Sequence, residues 1–167
     1  MDRDTLVAMM DAVRQRLLGS LDVIEKSGRE VAKVLAWRPG PGRAHIGWQA
    51  MHCAATHDKY LNVIVKGAAS PADAALVAAF GGGSTPSDEN VPTLAAIRGA
   101  LEAHYRPFHD YLAGTSASDL QRQVGPPDRR RTIAEVAMLM AWHEAHHQGQ
   151  IHLTWNLYGA TFPGAPR

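Results

Sequence analysis

Apolar residues recur at three- and four-residue intervals along most of the chain, which is the period of an amphipathic helix. The pattern predicts a first helix over about residues 4–27, in which Gly19 and Ser20 can introduce a bend or an interruption. A short apolar helical piece follows at residues 31–35, and the proline- and glycine-rich residues 37–42 end it. No segment shows the strict alternation that would predict a strand with conviction.

Three more long helices are predicted further along the chain. The second main helix covers about residues 45–66, with Gly67 as its stop. The third begins near Pro92, a favoured first-turn residue, and runs to about Ala113. Between them, residues 67–90 form a long crossover in which residues 70–73 can start a short helical turn.

The fourth helix, over residues 132–158, has the clearest boundaries. Thr132 and Glu135 have the spacing of a capping box, and Gly159 stands where a C-terminal glycine belongs, with Pro163 beyond it. Residues 114–128 before it are predicted to be loop. We therefore expect an all-α four-helix bundle with a long crossover between helices two and three, formed by residues 1–167 as one domain.

The composition is that of an ordinary globular protein, with 46% hydrophobic and 20% charged residues. A net charge of +1 gives no reason to expect a nucleic-acid or anionic membrane partner. No apolar run approaches the roughly 20 residues that cross a bilayer. Cys53 is the single cysteine, so no internal disulfide can form. We expect a soluble, cytoplasmic protein.

Histidines are the unusual component, because nine occur and most lie in two groups, one in helix two and one in helix four. His143 and His147 are four residues apart, which places both imidazoles on the apolar face of helix four, close enough to bind one metal ion. His52, in an apolar part of helix two, is the leading third ligand. His57 is the next candidate, but the charged residues after it indicate a more exposed stretch. His146 lies on the flank of the histidine face.

Other interpretations of these histidines were weighed. The letters H-E-x-x-H match zinc metalloproteases, but the extended motif fails because Gln150 and Leu153 stand where glycine and histidine are required. A di-iron carboxylate centre needs a second E-x-x-H pair, which we do not find. Core histidines that are merely hydrogen-bonded remain an open alternative.

Three stretches together resemble the DinB-like (YfiT-like) superfamily of metal-binding four-helix bundles. They are residues 38–52, which end at His52, residues 80–86, and residues 143–150 with their H-x-x-x-H motif and trailing Gly-Gln. The resemblance implies a metal triad of His52, His143 and His147 that holds a divalent ion, often zinc or nickel, with an open coordination position. Characterised relatives include transferases and isomerases that use low-molecular-weight thiols.

The functional expectation is a metal-dependent enzyme that transfers such a thiol to a small-molecule electrophile, or performs a related hydrolysis. Gln150 is a candidate for orienting substrate, whereas Glu144 is either a base or, more simply, a solvated charge. Cys53 is interpreted as a small buried residue. The alternatives are a non-catalytic metal-binding or stress-response bundle, in which His57 or His146 closes the site, and a purely structural bundle.

The four tryptophans, Trp37, Trp48, Trp142 and Trp155, are interpreted as core or dimer contacts. Trp142 falls off the histidine face of helix four, so its side chain can meet a second copy of the chain. We therefore expect a homodimer.

Overall fold

The computed structural model describes residues 1–89 and 91–164, and Asn90, the last residue of the predicted crossover, lies outside them. The helices are α1 (Arg3–Lys26), α2 (Val31–Ala36), α3 (Ile46–Asp58, continued by a π-helical segment, Lys59–Val65), α4 (Ala74–Phe80), α5 (Leu94–Ala113) and α6 (Ile133–Thr161). Two short strands, β1 (Gln123–Val124) and β2 (Arg131–Thr132), and two 3₁₀ turns, Asp119–Gln121 and Pro127–Arg129, connect α5 to α6.

Four long helices form a closed bundle. Helix α1 packs on α6 and α5, and α3 packs on the same two helices from the other side. This is the all-α four-helix bundle that the hydrophobic period predicts, and the crossover between α3 and α5 is present as expected. The crossover carries α4, which starts after Asp73, whose side chain accepts a hydrogen bond from the Ala75 amide.

The predicted helix boundaries are confirmed at some ends and wrong at others. The capping box of Thr132 and Glu135 is formed in both directions, so α6 begins where the sequence indicates. The predicted stop at Gly159 is wrong, because α6 continues to Thr161. Gly67 does end the second main helix, with a φ of +65°, a backbone conformation that glycine adopts without strain.

Other local predictions need correction. Pro92 is not in the first turn of α5, because Thr93 caps that helix and Pro92 precedes the cap. Gly19 and Ser20 do not interrupt α1. The expectation of no strand is also wrong in detail, since Gln123 and Val124 pair antiparallel with Thr132 and Arg131. Strands this short carry no periodicity that a sequence pattern can reveal.

The core is divided by a polar layer. One apolar cluster, which includes Met10, Leu61, Phe108 and Met140, fills one end of the bundle. A second cluster fills the other end and includes Leu17, Ala50, Leu101 and Ile151. Each bundle helix passes from one cluster to the other. In the middle, the inward-facing residues of α1, α3 and α6 are Arg14, His57, Glu144 and His147, all of them buried.

Among the described residues, none of the helices is both long enough and apolar enough to cross a membrane.

Candidate metal centre

Three histidines from two facing helices meet at the polar layer, to which one of them, His147, belongs. Helix α3 supplies His52, and α6 supplies His143 and His147, one turn apart. Each offers a ring nitrogen, and these nitrogens all lie within 4.8 Å of one another. The Nε2 atoms of His52 and His143 are 3.2 Å apart. The sequence analysis predicted this set, and the structure brings all three together.

The second ring nitrogen of two of these histidines is already bound to an acceptor. His52 Nδ1 lies 2.6 Å from the Phe80 carbonyl oxygen, which can only accept, so Nδ1 carries the proton and donates it. His147 Nδ1 donates in the same way to Gln49 Oε1. Both residues are thereby fixed in the tautomer that leaves Nε2 without a proton, which is the form that binds a metal ion.

All three imidazoles are held neutral. Burial, together with the neighbouring His52 and His57, lowers the pKa of His143 from 6.5 to about 4. Burial and then His143 and His52 lower the pKa of His147 to about 3. Burial also lowers the pKa of His52, against the opposing effect of the Phe80 carbonyl. A neutral imidazole keeps the lone pair that a metal ligand must donate.

The triad fits a divalent transition-metal ion. Two nitrogens bound to one tetrahedral ion at about 2.0–2.1 Å stand about 3.3 Å apart, and the Nε2 atoms of His52 and His143 are already 3.2 Å apart. A hydrogen bond between these atoms requires His143 to donate, since His52 Nε2 carries no proton. An ion between the three histidines would accept the lone pair of one ring nitrogen from each of them. A hydrogen bond between His143 and His52 uses only the lone pair of His52 Nε2.

The crossover contacts the triad directly. The indole of Trp48 stacks on the His52 ring, with centroids 4.6 Å apart and planes 9° apart. Its Nε1 donates to the Ala79 carbonyl, and the next carbonyl, that of Phe80, binds His52. Trp48 is therefore a wall of the histidine site rather than the core or dimer contact that the sequence suggested.

A buried ion pair lies beneath the triad. Arg14 Nη2 donates to Glu144 Oε2 at 2.8 Å, and His57 Nε2 lies 3.2 Å from the same oxygen. Burial opposes ionisation of Glu144, but His57 and Arg14 outweigh it, so the pKa of Glu144 lies below its ordinary value. The guanidinium of Arg14 also stacks over the Tyr105 ring, 4.3 Å from its centroid.

Two sequence predictions about this layer are wrong. Glu144 was expected to be a solvated charge, but only 2% of its surface is exposed. His57 was expected on an exposed stretch, but it is 1% exposed and the adjacent Asp58 is 2% exposed. Charged neighbours misled the prediction because Asp58 is itself buried and accepts hydrogen bonds from Asn62 and Ser70.

The other candidate residues lie around the triad rather than in it. Among the described residues, the histidine cluster includes neither His57 nor His146. His146 is exposed, stacks on Trp142 and is 2.6 Å from the Gln150 amide. Cys53 is fully buried as expected, and burial raises the pKa of its thiol well above the ordinary value.

Sequence reasoning missed two residues of the site. Gln49 precedes His52 by three residues, which places it on the same face of α3, and this spacing was the available signal. Arg14 stands on the apolar period of α1 between Met10 and Leu17, so a charge at an inward position was also visible.

A cleft of about 590 Å³ lies between the start of α3, with the residues before it, and the later part of α6. Gln49, which binds His147, is part of its wall, and Gln150 and Thr154 continue the histidine face of α6 along the cleft. Arg43 stands at its edge and is exposed.

The fold and the site define a helical bundle with a three-histidine centre suited to a metal ion. The sequence model of the DinB superfamily matches residues 9–151. The chain belongs to the DinB superfamily, as the resemblance predicted. A search of curated proteins finds no match.

The depressed histidine pKa values predict acid sensitivity of the metal-free protein. The pKa of His143 is about 4 in the folded protein, against an ordinary value of 6.5, so the unfolded chain binds more protons between these values. The free energy of unfolding should be fully retained above pH 6.5 and should fall as the pH decreases towards 4. Urea unfolding at several pH values measures this slope. His143→Gln should reduce the slope, and an unchanged slope would contradict the assignment.

Proposed function

We propose that this protein is a metal-dependent enzyme that transfers a low-molecular-weight thiol to an electrophilic small molecule. The ion is zinc or nickel, bound by His52, His143 and His147, since imidazole nitrogens suit both metals. Reduced thiols of this kind belong to the cytoplasm, where we place the protein. The observation that carries the proposal is a cluster of three neutral imidazoles, one of which binds Gln49, a residue in the wall of a cleft of substrate size.

The number of protein ligands favours catalysis over a structural role. Structural zinc sites usually have four protein ligands, whereas catalytic sites have three and leave a position for water or substrate. The described residues bring three histidines together, and neither His57 nor His146 joins them. A divalent ion in this place would supply Lewis acidity, which lowers the pKa of a thiol and so favours the thiolate nucleophile.

The cleft supports a substrate with both apolar and anionic parts. A volume of about 590 Å³ lies within the range of small-molecule sites. Its wall combines amides, a hydroxyl and a guanidinium with leucine side chains, contributed by Arg43, Gln49, Gln150, Leu153, Thr154 and Leu157. The guanidinium of Arg43 suits a carboxylate, which common low-molecular-weight thiols carry.

The reaction that we propose is a substitution at carbon. The thiol sulfur forms a bond to the electrophilic carbon, the leaving group departs with its bonding electron pair, and the thiol proton passes to solvent. Gln150 is placed on the cleft wall, where its amide can hold a polar group of the substrate. Gln49 binds His147 and also lines the cleft, so its side chain can contact both the metal ligand and the substrate.

The test is thiol consumption by metal-loaded protein. Protein reconstituted with Zn²⁺ or Ni²⁺ is mixed with glutathione or cysteine and an aryl or alkyl halide, and loss of thiol and release of halide are followed together. We expect catalysed turnover with one-to-one stoichiometry in the wild type and none in His147→Ala. Arg43→Met should raise the KM for the anionic thiol several-fold and leave kcat nearly unchanged.

Two outcomes would contradict this function. Metal-loaded wild-type protein that accelerates no thiol transfer across a panel of thiols and electrophiles would favour a non-catalytic metal-binding bundle. Equal turnover by wild type and His147→Ala would show that the histidine centre does not carry the activity.

We also propose that the protein is a homodimer formed through the outer face of α6. Two large apolar side chains, Met138 and Trp142, lie exposed one turn apart on this face, whereas the exposed Leu153 and Leu157 further along α6 belong to the cleft wall. Trp142 is the more exposed of the two, at 61%. Burial of such residues against a second copy removes apolar surface from water, at about 25 cal/mol per Å².

Light scattering at micromolar concentration tests the dimer. The wild type should give twice the chain mass of 18.1 kDa, and Trp142→Glu should shift the mass towards that of one chain. Val23→Glu, at another exposed apolar position on α1, is the matched control and should leave the mass unchanged. An 18 kDa wild-type particle would contradict the dimer.

A further inference from the structure

Several buried polar atoms in the middle of the bundle have no hydrogen-bond partner among the described residues. They belong to three residues of the polar layer and to one histidine of the triad: Arg14 Nε and Nη1, His57 Nδ1 and Nε2, Glu144 Oε1, and His143 Nδ1. A buried polar atom without a partner costs about 1–3 kcal/mol. This number of unpartnered atoms in one layer indicates polar groups that hydrogen-bond to one another, directly or through buried water.

His143 differs from the other two histidines of the triad. His52 and His147 each donate from Nδ1 to a fixed acceptor, Phe80 O and Gln49 Oε1. The Nδ1 atom of His143 is buried, and residues 1–89 and 91–164 provide no such acceptor for it. Histidines that bind a metal almost always donate their second N–H to an acceptor, because this fixes the tautomer and raises the basicity of the ligand.

Metal binding would change which ring nitrogen of His143 carries the proton. Without an ion, the hydrogen bond between the two Nε2 atoms needs His143 to donate, because His52 Nε2 carries no proton. With an ion bound through Nε2, the remaining proton of a neutral His143 must be on Nδ1. A buried N–H donor then appears in a place where the described part of the chain offers no direct acceptor.

Glu144 has the free acceptor that this donor needs. Its Oε2 atom is occupied by Arg14 at 2.8 Å and lies 3.2 Å from His57, whereas Oε1 has no partner. His143 and Glu144 are consecutive residues of α6, His57 contacts Glu144, and the free atoms of all three side chains are buried. A water molecule between them would have several polar partners, which is what a buried water requires.

We propose that Glu144 is a positioning residue for the metal centre, whose Oε1 accepts the Nδ1 proton of His143 through a buried water when the ion is bound. Arg14 holds the carboxylate in place and balances its charge, and His57 gives the water a further partner. This inference rests on the metal centre of the proposed function, and it gives His143 the kind of acceptor that His52 and His147 already have. The simpler alternative is that the ion pair only fastens α1 to α6.

The test distinguishes positioning of His143 from simple attachment of α1 to α6. It replaces Arg14 and Glu144 together. Replacement of a buried ion pair by apolar residues of similar volume often preserves stability, whereas loss of one partner does not. The variant is Arg14→Met/Glu144→Leu. Co²⁺ affinity is measured by competition with a chromophoric chelator, and the visible spectrum of bound Co²⁺ reports the geometry of the ligands.

The proposal predicts a 10–100-fold loss of Co²⁺ affinity in the double variant, the usual effect of losing such an acceptor, with an altered Co²⁺ spectrum. Phe108→Leu is the structural control, because Phe108 is fully buried against His57 and offers no acceptor. It should lower stability without a change in affinity or spectrum. Equal affinity of wild type and double variant, or an equal loss in Phe108→Leu, would overturn the proposal.

A second comparison tests whether the ion pair affects metal affinity through His143. In a His143→Gln background, the Arg14→Met/Glu144→Leu replacement should cause no further loss of the residual affinity for Cu²⁺, because the ligand through which Glu144 acts is gone. A further loss of the same size would mean that the ion pair acts on the whole of α6 and would overturn the proposal. If the wild type itself binds no Co²⁺, both the proposed metal centre and this inference are wrong. Equally tight Co²⁺ binding by the wild type and the Arg14→Met/Glu144→Leu variant refutes this inference alone.

Discussion

The buried pair of Arg14 and Glu144 is the interaction on which the middle of the bundle depends. Both side chains are almost fully buried, and their charges are 2.8 Å apart between two apolar clusters. Removal of one partner from such a pair costs about 3–5 kcal/mol, because the other charge remains buried without compensation. The pair therefore fixes how α1 meets α6, the helix that carries two of the three histidines.

The polar layer allows histidines to lie inside a helical bundle. Burial lowers the pKa of His143 and of His147, and both imidazoles are neutral as a result. Gln49 fixes the position of the proton on His147. The crossover takes part through the carbonyl of Phe80, which binds His52. Helix α4 has no fully buried residue, so these polar contacts with the site help to hold it in place.

The sequence predicted the elements with long periodic patterns and the residues with regular spacing. The four bundle helices, the capping box at Thr132 and the triad of His52, His143 and His147 were all visible in it. The burial of Glu144 and His57 was not, because a charged residue on a helix is normally solvated unless a partner from elsewhere pairs with it. That partner, Arg14, is 130 residues away in sequence, and only the packing of α1 on α6 brings it into contact.

The most direct test of the account is metal content per chain, measured by mass spectrometry on protein purified without an affinity tag. The account predicts about one divalent ion per chain in the wild type and loss of that ion in His52→Ala, His143→Ala and His147→Ala. His152→Ala, at an exposed position on the same helix, should retain the ion. A wild type that takes up no metal after incubation with zinc or nickel would contradict the account and leave a bundle whose core histidines are only hydrogen-bonded.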